Sequence, residues 1–514
     1  MSQAGQGAVL LAVALSLVGC APQQSEPIPA TSDTPTQPVV TEAPPLEASD
    51  IPAGFEDWYN QAVDWGPCER DFDCAQITAP LSWDDPDAGS INLKLIRHAA
   101  TGTKIGTLLV NPGGPGGSGL GFLPYAYPEF GKPVKDAYDV MSFDPRGVGE
   151  STPIVCLDDA GKDEFISADF DDDEAGREAM AAANAAWGQA CYENTGPLLA
   201  TVDTMSAARD MDLMRHLVGD PKLNYLGFSY GTQLGATYAG IFPERVGRLV
   251  LDGAIDLTLT ADEMSFGQAV GFETALRNFV ADCPNRDTCQ LQGTVDDALA
   301  EIAGLLARTK GHPLPTRQPA RTLNRTLAFY GIALALYDNE SWPYLDRALN
   351  EAFQGNGDTL LFLADFYNDR NPDGTFSSNS TEAFQAIGCV DSRGTEDPAE
   401  MDALAAEVMA AAPTVGEFFT YGGLVCRDWP VPLAPGSFDL HAAGAPPILV
   451  IGTTNDPATP FSWAEGLANT LDSGVLLIYD GEGHTAYTRS NACIADTVDE
   501  FLVDDIVPPA GKRC

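Results

Sequence analysis

The chain has 514 residues, 44% of them hydrophobic, enough to bury more core than one small domain needs. Its 28 Lys and Arg stand against 73 Asp and Glu, a net charge of -45. Such a surface repels nucleic-acid phosphates and anionic lipid headgroups, so neither is an expected partner. It suits solubility outside the cell, with attraction of cationic substrates as a second reading.

Residues 1–20 read as a signal peptide. The apolar run Ala8 to Val18 is too short to span a bilayer. It ends in Leu17-Val18-Gly19-Cys20, which resembles the lipobox of bacterial lipoproteins. That resemblance implies a lipidated Cys20 and a protein anchored to the outer face of the cell membrane, or secreted. Met1 to Gly7 departs from the pattern, since it carries no Lys or Arg. Residues 21–52 are rich in Pro, Thr, Ser and Glu and hold no aromatic residue, as expected of a disordered linker.

From residue 53 onward, β-runs alternate with helical periodicity. This predicts an α/β fold with a mostly parallel sheet. Predicted strands are Thr107 to Val110, Val140 to Phe143, Asn224 to Phe228, Arg248 to Leu251, Ile448 to Ile451 and, last, Val475 to Tyr479. Asp203 to Val218 is an expected amphipathic helix, and Thr232 to Ile241 a helix of small residues. Between 256 and 437 helical periodicity dominates, for example Trp342 to Phe353 and Thr359 to Tyr367. This stretch reads as a helical lid inserted between core segments 53–255 and 438–514.

With Cys20 set aside, ten of the 11 cysteines remain. An even number suits disulfides in an oxidising compartment, and no CxxC pair or Cys/His box suggests zinc. Spacing does not fix connectivity, and free buried thiols stay open. The expectation is neighbour pairing: Cys68–Cys74, Cys156–Cys191, Cys283–Cys289, Cys389–Cys426 and Cys493–Cys514.

Gly227-Phe228-Ser229-Tyr230-Gly231 matches G-x-S-x-G, a weak signal alone. A predicted strand before it and a helix after it are the context of a nucleophile elbow, where Gly on both sides avoids clashes. A serine nucleophile needs a base, and the chain has only 5 His. His484, in Gly481-Glu482-Gly483-His484-Thr485, is the one late in the chain on a loop after a strand. In this fold the acid lies between the two in sequence. Asp456 follows the strand Ile448 to Ile451 and is preferred over Asp252 and Asp480. Oxyanion donors are expected from the Tyr230 amide and from the loop Asn111 to Ser118, at Gly113 or Gly114. That loop lacks the Lys-Ser/Thr ending of a phosphate-binding P-loop. This chemistry calls for no metal and no cofactor.

With these residues in place, the chain resembles actinobacterial tripeptidyl-aminopeptidase-like α/β-hydrolases, relatives of prolyl aminopeptidases. The resemblance rests on Asn111 to Gly119 (NPGGPGGSG), Phe143 to Gly149 with Ser151, Asn224 to Thr232, Val250 to Gly253, Cys389-Val390-Asp391 and Cys426 to Pro430. It implies a monomeric serine exopeptidase that releases short N-terminal units from peptide substrates. Such an enzyme must hold a free ammonium group, and Asp391 and Glu150 are candidates for that carboxylate. The competing readings are a carboxylesterase or lipase with the same triad, and a non-catalytic envelope protein that keeps the fold for binding.

Overall fold

The computed structural model describes residues 51–318 and 320–514. The signal peptide, Cys20 and nearly all of the linker lie outside the described residues.

Ten strands form one sheet: β1 (Gly66–Pro67), β2 (Asp73–Pro80), β3 (Ser90–His98), β4 (Gly106–Asn111), β5 (Tyr138–Phe143), β6 (Leu223–Phe228), β7 (Val246–Asp252), β8 (Ile448–Asn455), β9 (Gly474–Glu482) and β10 (Lys512–Arg513). Their spatial order is β1-β2-β3-β5-β4-β6-β7-β8-β9-β10. From β5 through β10 every pairing is parallel. Every residue of β4 and of β5 is buried, as expected of strands covered by helices on both faces.

The first three strands depart from the alternating pattern. β1, β2 and β3 pair antiparallel with one another, and β3 joins β5 antiparallel as well. β2 alternates buried with exposed residues along its middle, the mark of a strand with one wet face. At the opposite end Val475 to Tyr479 is not in the last strand. The short β10 follows and pairs with Leu477 and Ile478.

The helix Thr204–Leu217 is buried nearly all round, beyond the apolar face that its periodicity marks. Its polar positions are neutralised inside the protein. Asp210 takes Nε and Nη2 of buried Arg146 at 2.7 Å each, and Asp212 pairs with Arg215 at 2.8 Å. Arg146 also donates to the carbonyls of Pro80, Leu81 and Thr201, so all its nitrogens are used.

Among the described residues, no strand of the sheet lies between Asp252 and Ile448. Most helices of that insertion bury their apolar faces in a core of their own, built around Phe279, Ile302, Leu327, Ile332, Leu345 and Leu360. Its end differs from the expected boundary at 437. The helix Ser380–Asp391 packs Ala383, Ala386, Ile387, Cys389 and Val390 into the sheet-side core, as do Trp429 and Val431. The chain then returns to the insertion's core, where Val415 is buried and Phe418 stacks on Phe329 at 4.1 Å, so the stretch from Ser380 to 437 is shared between the two cores. The described residues include five disulfides, Cys68–Cys74, Cys156–Cys191, Cys283–Cys289, Cys389–Cys426 and Cys493–Cys514.

Candidate active site

β6, β7, β8 and β9 lie side by side, and their carboxyl ends bring together residues far apart in sequence. β6 ends at Phe228, and the next residue, Ser229, turns directly into the helix Tyr230–Ile241. Ser229 has φ 56° and ψ -125°, a conformation that costs an L-residue about 1–3 kcal/mol. Its neighbours hold it there. The Ser229 amide donates to Asp252 O at 2.9 Å, and Ser229 O accepts from Thr232 N at 2.7 Å and Thr232 Oγ1 at 2.6 Å. The turn is tight enough that a Cβ on Gly227 would sit 2.3 Å from Gly231 O.

The glycine loop leaves the end of β4 and lies against this turn. A Cβ on Gly113 would fall 2.9 Å from Ser229 Cβ and 3.1 Å from the Tyr230 amide nitrogen. The two expected loop donors are not equivalent. The Gly113 amide donates to Asn111 Oδ1 at 2.9 Å, whereas neither the Gly114 nor the Tyr230 amide has a partner among the described residues. Asp144 fixes the far end of the loop. Its Oδ1 accepts from Ser118 Oγ at 2.7 Å and from Leu120 N at 3.1 Å, and its Oδ2 accepts from Glu150 N at 2.8 Å. The Phe143 to Gly149 signature therefore anchors the loop through Asp144 and braces the fold through Arg146.

β9 leads into the segment that carries His484. Its Nδ1 lies 2.9 Å from both carboxylate oxygens of Asp456, which follows β8. Asp456 is fully buried, and three backbone amides hold it. Ala458 N and Thr459 N donate to Oδ1 at 2.9 Å each, and Thr485 N donates to Oδ2 at 3.2 Å. A carboxylate accepting three amides is oriented before the imidazole meets it. His484 Nε2 is buried and has no hydrogen-bond partner. Gly253, which follows the carbonyl that anchors Ser229, lies against the imidazole. A Cβ there would meet His484 Cε1 and Thr459 Oγ1 at 3.2 Å each.

The four other histidines are occupied elsewhere. His98 stacks on Tyr127 at 4.1 Å, His216 meets the Tyr59 ring, His312 ends a helix, and His441 Nδ1 donates to Thr470 O. The rival acids have other tasks as well. Asp480 is half exposed and pairs with Arg513 at 2.9 Å. Asp252 is fully buried and accepts from Ala486 N at 3.0 Å and Tyr487 N at 2.8 Å, so it pins the segment just beyond His484. Burial pushes the Asp252 carboxyl up to about 6.

The two candidates for binding an ammonium group are placed differently from each other. Glu150 has a 69% exposed side chain with Lys94 Nζ 4.0 Å away. Asp391 is engaged by Thr204, whose amide and hydroxyl both donate to it, at 2.9 and 2.5 Å. Asp391 lines a cavity with Thr204, Met205 and Gln233, whereas Glu150 lies at the surface.

Sequence reasoning missed three neighbours of the site. Thr459 Oγ1 lies 3.3 Å from His484 Nδ1. Tyr337, from the insertion, accepts the His484 amide at its carbonyl at 2.8 Å and sets its ring edge-on to the imidazole. Thr204 Oγ1 lies 2.6 Å from the Tyr230 hydroxyl. Thr459 was legible in retrospect, three residues after the acid. Nothing in the sequence pointed to Tyr337 or Thr204. Among the described residues no group of three or more His, Cys, Asp or Glu is arranged to hold a metal ion.

A family model described as "TAP-like protein" matches residues 412–514. The serine protease Hip1 of Mycobacterium tuberculosis is 36% identical over 482 residues, covering 88% of this chain and 91% of its own. Carboxylesterase B of the same organism is 34% identical over 86% of each chain. The tripeptidyl aminopeptidase of Streptomyces coelicolor is 29% identical over 87% of this chain and 83% of its own. With a relative this similar along nearly its whole length, and with a mostly parallel sheet of the α/β-hydrolase kind, the chain belongs to the tripeptidyl-aminopeptidase-like serine hydrolases and is an enzyme of their peptidase type.

Proposed function

We propose that Ser229, His484 and Asp456 form a catalytic triad that cleaves short peptides, releasing units from a free N-terminus. One observation carries the triad. The His484 imidazole is held by Asp456 at 2.9 Å through Nδ1, its Nε2 is buried and without a partner among the described residues, and its Cε1 faces Gly253, next to the carbonyl that holds the strained Ser229. In this reading Nε2 takes the Ser229 proton as Oγ attacks the substrate carbonyl. Asp456 keeps the proton on Nδ1 and stabilises the imidazolium that forms. The Tyr230 and Gly114 amides receive the oxyanion, and Gly113 supplies the close approach of the loop rather than its own N–H. The helix Tyr230–Ile241 adds the positive end of its dipole. His484 then protonates the leaving amine, and water repeats the cycle on the acyl-enzyme.

The names of the relatives support peptide substrates and N-terminal release, and one of them, Carboxylesterase B, keeps an ester-cleaving reading in play. We place the enzyme outside the cytoplasm, tethered through Cys20. Five disulfides among the described residues support an oxidising compartment. The test compares the wild-type enzyme with Ser229→Ala on a peptide library with free and blocked N-termini, and on p-nitrophenyl esters. The expected result is products cut near free N-termini only, all lost in the variant, and arylamides preferred to esters. Full hydrolysis by Ser229→Ala rejects the nucleophile, and equal cutting of blocked peptides rejects the exopeptidase reading.

A further inference from the structure

The helix Ser380–Asp391 lies within the chain segment expected to be lid, yet it is fastened to the Ser229 layer at both ends. At the first end Asn379 Nδ2 donates to the carbonyls of Gly147 and Ile154 at 2.9 and 3.0 Å, and its Oδ1 accepts from Gly149 N at 2.8 Å. Gly116 of the glycine loop packs onto the same end, so closely that a Cβ would sit 2.8 Å from Ser380 O. At the other end the Cys389–Cys426 disulfide secures the last turn, and Asp391 closes it.

Asp391 is an unusual carboxylate. No cation pairs with it among the described residues, and burial raises its carboxyl to about 7. Its side chain is partly buried and lines a cavity beside Thr204 and Met205. Both of its hydrogen bonds among the described residues come from Thr204, which opens the helix Thr204–Leu217. The Thr204 amide is one of the N–H groups a helix start leaves without an internal partner, and Asp391 Oδ1 accepts it at 2.9 Å. The Thr204 hydroxyl donates to Asp391 Oδ2 at 2.5 Å. Its oxygen is then free to accept from the Tyr230 hydroxyl, 2.6 Å away. Tyr230 is buried, and its amide is joined directly to Ser229.

We infer that Asp391 is a positioning residue for the Ser229 site: it fixes Thr204, Thr204 grips the Tyr230 hydroxyl, and the Ser229–Tyr230 peptide is thereby held in its strained conformation. Strain of this kind persists only where the surroundings over-determine it. Other anchors of the turn are the Asp252 carbonyl on the Ser229 amide, Thr232, whose amide and hydroxyl donate to Ser229 O at 2.7 and 2.6 Å, and the Tyr225 hydroxyl, which donates to Gly231 O at 2.7 Å. None of them restrains the Tyr230 side chain. The inference rests on Ser229 being the nucleophile.

The test uses purified enzyme and four variants: Asp391→Ala, Asp391→Asn, Tyr230→Phe and the double Asp391→Ala/Tyr230→Phe. Tyr230→Phe removes only the hydroxyl at the end of the chain and leaves the amide in place. Misplacing an oxyanion donor by a fraction of an ångström is expected to lower kcat by about 10-fold or more, with KM changed less than about threefold. Asp391→Ala and Tyr230→Phe are expected to lose kcat alike. The double variant should be no worse than either, because both cut one chain. Asp391→Asn, which can still accept from the Thr204 amide, should recover most of the loss. An ammonium-binding role for Asp391 demands the opposite, a raised KM for free N-termini in Asp391→Asn. The inference fails if the two single losses multiply in the double, or if kcat is untouched while thermal stability falls. Should Asp391→Ala not fold, Tyr230→Phe and Asp391→Asn decide alone. Ser229→Ala run alongside separates this failure from failure of the nucleophile reading.

Discussion

Replacing Gly113 by alanine probes the site at its tightest contact. At φ +94° an alanine pays about 1–3 kcal/mol for its backbone alone. The added methyl would stand 2.3 Å from Phe228 O and 2.9 Å from Ser229 Cβ. Carbon needs roughly 3.5 Å from such neighbours, so loop and turn must part by about 1 Å. Both sides of the contact are chain segments held by their own hydrogen bonds, with no flexible side chain to give way. A shift of about 1 Å between reacting groups costs on the order of 100-fold in rate, and loss of one oxyanion donor costs about 100- to 1,000-fold. The expected outcome is a kcat lowered about 100-fold, or about 2.7 kcal/mol in the barrier, in a protein that still folds. Steady-state hydrolysis of a peptide arylamide measures kcat, a fluorophosphonate burst counts competent Ser229, and circular dichroism checks the fold. Gly311→Ala, with open space around its Cβ, is the control and should leave kcat unchanged. Activity of Gly113→Ala within threefold of wild type refutes the packing argument and the oxyanion role of the loop together.

Other substitutions test other parts. Asp456→Asn keeps the size but not the charge that fixes the His484 proton on Nδ1, so kcat should drop about 10,000-fold with little change in melting temperature; a loss under tenfold points to a different acid. Arg146→Met leaves Asp210 buried and unpaired, which should cost about 3–5 kcal/mol, read as a lower denaturant midpoint, and Arg146→Met/Asp210→Leu should regain most of it. The raised Asp252 carboxyl gives a pH signature. A raised acid contributes stability in its protonated form, fully present below the unfolded value of 3.8 and lost as pH rises through about 6. Asp252→Asn has no such loss, so its stability relative to wild type should improve between pH 4 and pH 8 by about 3 kcal/mol at most; a flat difference in denaturant midpoints refutes burial as the cause. Exchanging Cys389 and Cys426 for serine opens a loop with a separation of 37 residues and should cost about 4 kcal/mol, seen as a lower unfolding midpoint.

The site was legible where chemistry and sequence order coincide. Ser229 announces itself by its two glycines, and with 5 histidines in the chain only His484 follows the last long strand. Asp456 was separable from Asp252 only by a pattern of chain order, because both sit at strand ends and both are buried. What distinguishes them is which donors face them, imidazole and loop amides for Asp456 and amides alone for Asp252. The fold was legible wherever strands are buried on both faces and read as apolar runs. The β2–β3 hairpin was missed because a half-wet antiparallel edge is spelled in alternation rather than in runs. The helix Thr204–Leu217 shows the converse limit. Asp210, Asp212 and Arg215 look like a solvated face, and only the fold supplies Arg146 and Arg245 to bury them. The role of Asp391 was out of reach for the same reason, since its partner Thr204 is 187 residues away.

The insertion's separate hydrophobic core bears on engineering. The interior of a segment with its own core can be redrawn without altering the residues of the sheet-side core. An exchange must keep the contacts that leave that core: the Tyr337 carbonyl at the His484 amide, Asn278 at Glu482, Gln268 at the Ala458 carbonyl, Arg321 at Asp163, Arg325 at Asp169 and Glu273 at Thr414. Within those bounds, the interior of the insertion can be redesigned separately from the strand ends that carry Ser229, Asp456 and His484.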